Sequence, residues 1–198
     1  GTLDLAMVNT GASNRIEALP PASYYTGPLD GTAPTTSNVL LTAGANVTAN
    51  QTVNAVVIRG AGVALTGNTG TILTVTSGGA GAGMIVNQGT GNSISVPTIA
   101  SGGADVEEIL LVDGSLDVSS VLSSTTAAWT KGGTGDLRLS GASANTYTTA
   151  TYVSEGTLTA AKNSAIVGSG VTISYTAALR LDGAGSGITI GNVPLANL

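Results

Sequence analysis

Acidic side chains crowd at one point of this sequence, the run ADVEEILLVDGSLDV from Ala104, which holds Asp105, Glu107, Glu108, Asp113 and Asp117. Alternate residues of an extended chain share a face, so Asp105 and Glu107 are expected side by side. Two carboxylates so placed, helped by a neighbouring strand, are the raw material of acid–base catalysis or of a Ca²⁺ site. The plainer reading is a solvated outer face that keeps a weakly charged chain in solution, and the rest of the composition favours it. The 198 residues contain no Cys and no His, which excludes thiol and imidazole nucleophile–base pairs and the usual zinc ligands. Six basic residues, Arg15, Arg59, Lys131, Arg138, Lys162 and Arg180, are too scattered to form a patch, and the net charge is −5. Phosphate backbones are poor partners for such a chain. The glycine-rich SGGAGAG from Ser77 is followed by no GK[ST] and no helix pattern, so it reads as a flexible corner and not a phosphate cradle. No catalytic, metal or cofactor site is expected, and the chain reads as non-enzymatic.

Length spent without chemistry points to architecture. Charged residues are 9% of the chain, against about 25% in ordinary soluble domains. Aromatics are 3% with no Phe, so the core must be aliphatic. The mean hydropathy of +0.35 comes from short Val, Ile, Leu and Ala runs, none approaching the roughly 18 apolar residues of a membrane span. Abundant Val, Ile and Thr with little charge argue for a folded β chain and against disorder. Runs such as NVLLT from Asn38, NAVVIRG from Asn54, TILTVTSG from Thr71, GMIVNQG from Gly83, EEILLVDGSLDVSSVL from Glu107, DLRLSG from Asp136, GTLTAA from Gly156 and GVTISYTAALRLDG from Gly170 are β-branched and bounded by Gly, Asn, Ser or Asp. No stretch sustains a capped helical period, so a predominantly parallel β structure without long helices is predicted.

Short strands at regular spacing suit a sandwich or a solenoid. A sandwich wants bulky aromatic core residues and many Asn-Gly or Asp-Gly hairpins. Here Trp129 is the only Trp, and Asp-Gly occurs at Asp30, Asp113 and Asp182 alone. A solenoid needs less bulk, because aligned aliphatic residues fill its narrow interior, and self-similarity is its signature. GDLRLSG, EGTLTAA and AALRLDG repeat at roughly 20-residue spacing, the length of one three-sided turn. At longer range, Leu3 and Leu5 of TLDLAMVNTG fall where Leu179 and Leu181 do in ALRLDGAGSG, as though the chain began in the phase in which it ends. With neither an initiator Met nor a signal-peptide layout at Gly1, residues 1–198 are read as one segment of a longer repetitive chain.

From Lys131, KGGTGDLRLSG…NTYTTATYVSEGTL resembles the autotransporter-associated β-strand repeat, also called the passenger-associated transport repeat. The matching positions are Lys131, Gly133, Gly135, Leu137, Leu139, Ser140, Gly141, Asn145, Tyr147, Thr151, Val153, Gly156 and Leu158. Two extra residues separate Gly141 from Asn145, and Thr149-Ala150 stands where a Gly pair is usual. Residues 129–183 carry the best of the match. The resemblance implies a right-handed parallel β-helix in a secreted or surface-displayed bacterial protein. On physical grounds Leu137, Leu139, Val153 and Leu158 are core candidates, Asn145 suits a turn, Tyr147 covers a side of the solenoid and Trp129 fills a turn's edge.

One region departs from the pattern. Residues 18–38, ALPPASYYTGPLDGTAPTTSN, hold Pro20, Pro21, Pro28 and Pro34 and should be an excursion outside the sheets. Tyr24 and Tyr25 make it the best interaction candidate, set against a role as a cover over an open side or end. The function expected is therefore a non-catalytic structural segment of an extracellular or cell-surface bacterial fibre, stalk or matrix protein. Its partner would be itself, stacked end to end with Leu3 and Leu5 continuing the column of Leu179 and Leu181. The alternative is an adhesin passenger that binds glycans or surface proteins. A polysaccharide lyase or hydrolase is the weaker third reading, since the basic residues and aromatic platforms of a sugar cleft are missing.

Overall fold

The computed structural model describes residues 5–9, 15–79, 81–183 and 195–196. It is an all-β solenoid of about six turns, and the only helical element among the described residues is one 3-10 turn, Pro21–Ser23. Three parallel sheets form its sides. The eight-stranded sheet holds Asn38–Leu41, Ala55–Ile58, Ala82–Asn87, Glu107–Val112, Ala128–Gly132, Ala150–Val153, Gly170–Ile173 and Leu195–Ala196. Ala45–Val47, Ala64–Gly67, Asn92–Ser95, Ser115–Val118, Asp136–Leu139, Gly156–Ala160 and Ala177–Leu181 make the seven-stranded sheet. A four-stranded sheet of Gln51–Val53, Ile72–Val75, Thr98–Ser101 and Val121–Ser123 closes the third side of the earlier turns. Along the eight-stranded sheet Ile109 pairs with Thr130, Thr130 with Tyr152 and Tyr152 with Thr172, offsets of 21, 22 and 20 residues that match the spacing read from the sequence.

Strand alternation decides what lies inside. Inward columns run Val39, Val56, Ile85, Leu110 on the first sheet and Leu116, Leu137, Leu158, Leu179 on the second. A third runs Leu73, Ile99, Leu122. Most of these side chains are fully buried, and each large aliphatic one contributes about 1.5–3 kcal/mol over its exposed state. Leu181 is in register with the column Val118, Leu139, Ala160 but is 54% exposed, and Leu179, in register with Leu158, is half-buried.

The corner between the eight- and seven-stranded sheets is a stack of glycines. A Cβ on Gly89 would overlap the Gly60 carbonyl, one on Gly114 the Gly89 carbonyl, one on Gly135 the Gly114 carbonyl and one on Gly156 the Gly135 carbonyl. Turn stacks on turn there with no room for a side chain, which explains the glycine in GDLRLSG and EGTLTAA.

Two regions differ from the regular pattern. Ala6–Asn9 and Arg15–Ala18 form an antiparallel hairpin, and Leu5, just before it, packs with Leu19 and Tyr24 on the outer surface of the eight-stranded sheet against Val57 and Val86. Leu5 therefore lies outside the interior column in which it was expected. The physical reason is that Leu40, Val57, Val86 and Leu111 form an outward apolar column, whose burial favours an apolar cover. Leu3 lies outside the described residues. The second departure is the third side of the later turns, where coil replaces strand at residues 140–149 and 161–169.

Candidate functional site

The acidic run is split between the two sides of its strand. Glu107 points outward, where its carboxylate accepts the Thr130 hydroxyl. Glu108 points inward with Leu110 and Val112 and is 2% exposed. Asp105, fully buried, sits at the preceding corner and accepts the Ser77 amide at 3.2 Å, the Ser77 hydroxyl at 2.8 Å and the Gly102 amide at 3.1 Å. The expected Asp105–Glu107 pair is thus replaced by an Asp105–Glu108 pair, because a corner intervenes and breaks the alternation. Burial and, next, the Asp105 charge push the Glu108 carboxyl up to about 9, so at neutral pH it is a carboxylic acid hydrogen-bonded to Asp105. A solvated outer face describes Glu107, Asp113 and Asp117 but not Asp105 or Glu108.

Two lysines are inside as well. Lys131 occupies the inward position after Leu110, is 2% exposed, and donates to the carbonyls of Gly132 at 2.9 Å, Gly133 at 2.6 Å and Glu155 at 2.9 Å. Burial lowers its ammonium to about 8 against the opposing pull of Glu155 and Asp136. Lys162 donates to the Ser120 carbonyl at 2.8 Å and is likewise lowered by burial to about 8. Lys131 gathers carbonyls of two turns, and Lys162 ties its own turn to the Ser120 carbonyl.

The remaining motif residues have the same inward duty. Asn145 stands in for missing strand bonds: its Oδ1 accepts the Leu122 amide at 2.9 Å and its Nδ2 donates to the Ala165 carbonyl at 2.6 Å, linking three successive turns. The Tyr147 hydroxyl meets Thr151 Oγ1 at 2.7 Å and accepts the Val167 amide at 3.2 Å. Its ring lies 6.2 Å from that of Trp129, and both are buried. Tyr147 as a cover and Trp129 as a filler agree with the sequence reading.

Tyr24 packs on the outside of the eight-stranded sheet, and Tyr25, half-buried, packs against the end of the inner core. Tyr24 is 7% exposed on the outer apolar patch. Tyr25 pairs with Val39 and Leu29 with Val47 through parallel bridges, and Gln51 ties this coil down by donating to the Ala33 carbonyl and accepting the Gly31 amide, each at 3.0 Å. The proline-bearing coil is an irregular turn laid beneath the first regular one.

What faces solvent is the outer surface of the seven-stranded sheet. Ser93, Asp117, Arg138, Thr159 and Arg180 form one outward column and Ser115, Asp136 and Thr157 another. Arg138 donates to Asp117 at 3.1 Å, Ser140 donates to Asp117, and Thr159 donates to Asp136 at 3.0 Å. Ser93, Ser115, Asp117, Asp136 and Arg138 border an open groove of about 380 Å³. The groove's residues are dispersed over three strands in the sequence; only the period-2 pattern combined with the 20-residue repeat brings them together. Among the described residues no group of three or more acidic or imidazole side chains is gathered as a metal centre, and no helix is long and apolar enough to cross a membrane. The chain matches no family model, no curated protein and no solved structure.

Proposed function

We propose that this chain is a non-catalytic structural segment of an extracellular or cell-surface bacterial fibre, stalk or matrix protein, supplying length and stiffness. The observation that carries the reading is the use made of the reactive side chains. Lys131 and Lys162 are buried in bonds between turns, Glu108 is buried against Asp105 of its own turn, and Asp117 and Asp136 are bonded to the turns beside them. In the same spirit, the resemblance of residues 129–183 to a passenger repeat supports export and surface display. The irregular coil covers one face of the stack, so end-to-end growth would proceed by adding a turn to Ala177–Leu181, the outermost described strand of its sheet. An antibody raised against the folded segment tests the proposal. Labelling of intact cells of the source bacterium is expected, and labelling only after lysis would refute it.

The groove beside Asp117, Asp136 and Arg138 favours a second reading, an adhesin that takes a glycan or a surface protein on this face. Hydroxyls, carboxylates and a guanidinium repeated from strand to strand, about 4.8 Å apart, suit a linear polar ligand. A glycan array read with the wild-type chain and with Arg138→Ala separates the two, since only the adhesin reading requires binding that the substitution abolishes.

A further inference from the structure

The corner that buries Asp105 and Glu108 gathers several oxygens: the Val75 carbonyl accepts the Gly102 amide at 3.2 Å, Thr76 Oγ1 accepts the Gly78 amide at 3.1 Å, and Glu108 Oε1 is left without a donor. Residue 83 is glycine, and a Cβ there would overlap Glu108 Oε2 and lie 2.8 Å from both Glu108 Oε1 and the Val75 carbonyl oxygen. Residue 102 is glycine too, and a Cβ there would overlap Thr76 Oγ1 and lie 2.7 Å from Asp105 Oδ2. Two missing side chains thus let two carboxyl groups, a carbonyl and a hydroxyl converge from successive turns. Glu108 Oε1 has no hydrogen-bond partner although the residue is 2% exposed, and a buried oxygen without a donor is costly unless something else binds it. Above the cluster runs the exposed turn Ser77–Gly79, held by the Ser77 bonds to Asp105. Glycine-rich chain at that point gives a small ion a way in.

We propose that this corner binds a hard divalent cation, Ca²⁺ by its chemistry, which displaces the Glu108 proton to solvent and takes the carboxylates of Glu108 and Asp105, the Val75 carbonyl and the Thr76 hydroxyl as ligands. An all-oxygen donor set drawn from carboxylate, carbonyl and hydroxyl is what Ca²⁺ takes, and soft metals would find no sulfur or imidazole there. Such an ion would tie together consecutive turns at the point where the chain leaves the four-stranded sheet.

Trp129 supplies the probe, because it pairs with Glu108 on the adjacent strand and is the only tryptophan. The whole chain is titrated with Tb³⁺ under tryptophan excitation, then with Ca²⁺ in competition, and melted with and without millimolar Ca²⁺. Expected are saturable Tb³⁺ emission displaced by Ca²⁺ and a Tm raised by several degrees. Glu108→Gln should reduce the emission at least tenfold and abolish the Tm shift, while Asp113→Asn, an exposed acid of the same run, changes neither. Should Glu108→Gln fail to melt cooperatively, Glu108→Asp, which withdraws the carboxylate by one methylene, replaces it with the same expected loss. Absence of emission, absence of a Ca²⁺-dependent Tm, or emission that survives the Glu108 substitution would each overturn the proposal.

Discussion

Lys131 Nζ reaches across to the carbonyl of Glu155, 2.9 Å away on the following turn, from a position that in the neighbouring turns is Leu110 and Val153. An ammonium in an aliphatic column is held by the three carbonyls it caps, helped by the charges of Glu155 and Asp136. Lys131→Met keeps the volume but leaves those carbonyls without a donor, and should cost about 2–4 kcal/mol in urea unfolding. Stability equal to wild type would show that the bonds are dispensable.

The pH profile follows from the same buried groups, measured in chelator to keep cations out. Glu108 is raised to about 9 from 4.5. Between those values the unfolded chain has lost the proton and the folded chain keeps it, so stability is highest in acid and falls as pH rises through that window. Lys131 and Lys162 are lowered to about 8 from 10.5. From about 8 upward the unfolded chain holds more protons at these sites, so they add stability with rising pH. Glu108→Gln mimics the protonated acid and should remove the falling limb, leaving the variant about 1–3 kcal/mol more stable than wild type near pH 7.5. A profile unchanged by the substitution would contradict the buried, protonated state.

Glycine at the stacked corner is a steric requirement. Gly135→Ala forces a methyl onto the Gly114 carbonyl oxygen and should destabilise by about 2–4 kcal/mol. Gly103→Ala meets nothing within 4 Å and has no positive φ, so it should be neutral or slightly stabilising. Equal effects from the two would remove the close-stacking argument.

Asn145 is the clearest test of the coil side. Asn145→Ala strands the Leu122 amide and the Ala165 carbonyl together, a loss of about 2–3 kcal/mol by denaturant titration. Hydrogen exchange at the Leu122 amide should rise with it, and continued protection there would mean another acceptor serves it.

How much of this was legible depended on contrast between alternate positions. In DLRLSG and VTISY one parity is apolar and the other polar, so inside and outside are fixed by the letters alone. EEILLV is apolar on both parities after its acids, which hid that Glu108 goes in with Leu110 while Glu107 goes out. That strand lies where the eight-stranded sheet carries an outward apolar column, so both faces wanted aliphatic residues. Lys131 had a signal that went unused: it shares its parity with Trp129, the bulkiest residue in the chain. The N-terminal hairpin was missed because Leu-x-Leu at Leu3 and Leu5 is too short a pattern to distinguish an inner column from a cover. Tyr24 and Tyr25 stayed open between contact surface and cover, because the letters alone do not show that Tyr24 has an outer apolar patch beneath it and that Tyr25 packs against the inner core.

In the proposed structural role the turns serve as units of length, and excision of one whole turn tests this most directly. Trp129 pairs with Thr151, so deleting residues 129–150 joins Ala128 to Thr151 in register, with Leu110 meeting Val153 and Leu116 meeting Leu158 inside. Stability in a stack of neighbouring units is a sum over turns and their contacts, so the shortened chain should keep its β spectrum and a cooperative melt. A smaller deletion, residues 129–140, leaves a turn unclosed and should abolish both. If the whole-turn deletion unfolds the protein as thoroughly as the partial one, the turns are not modular and the claim fails.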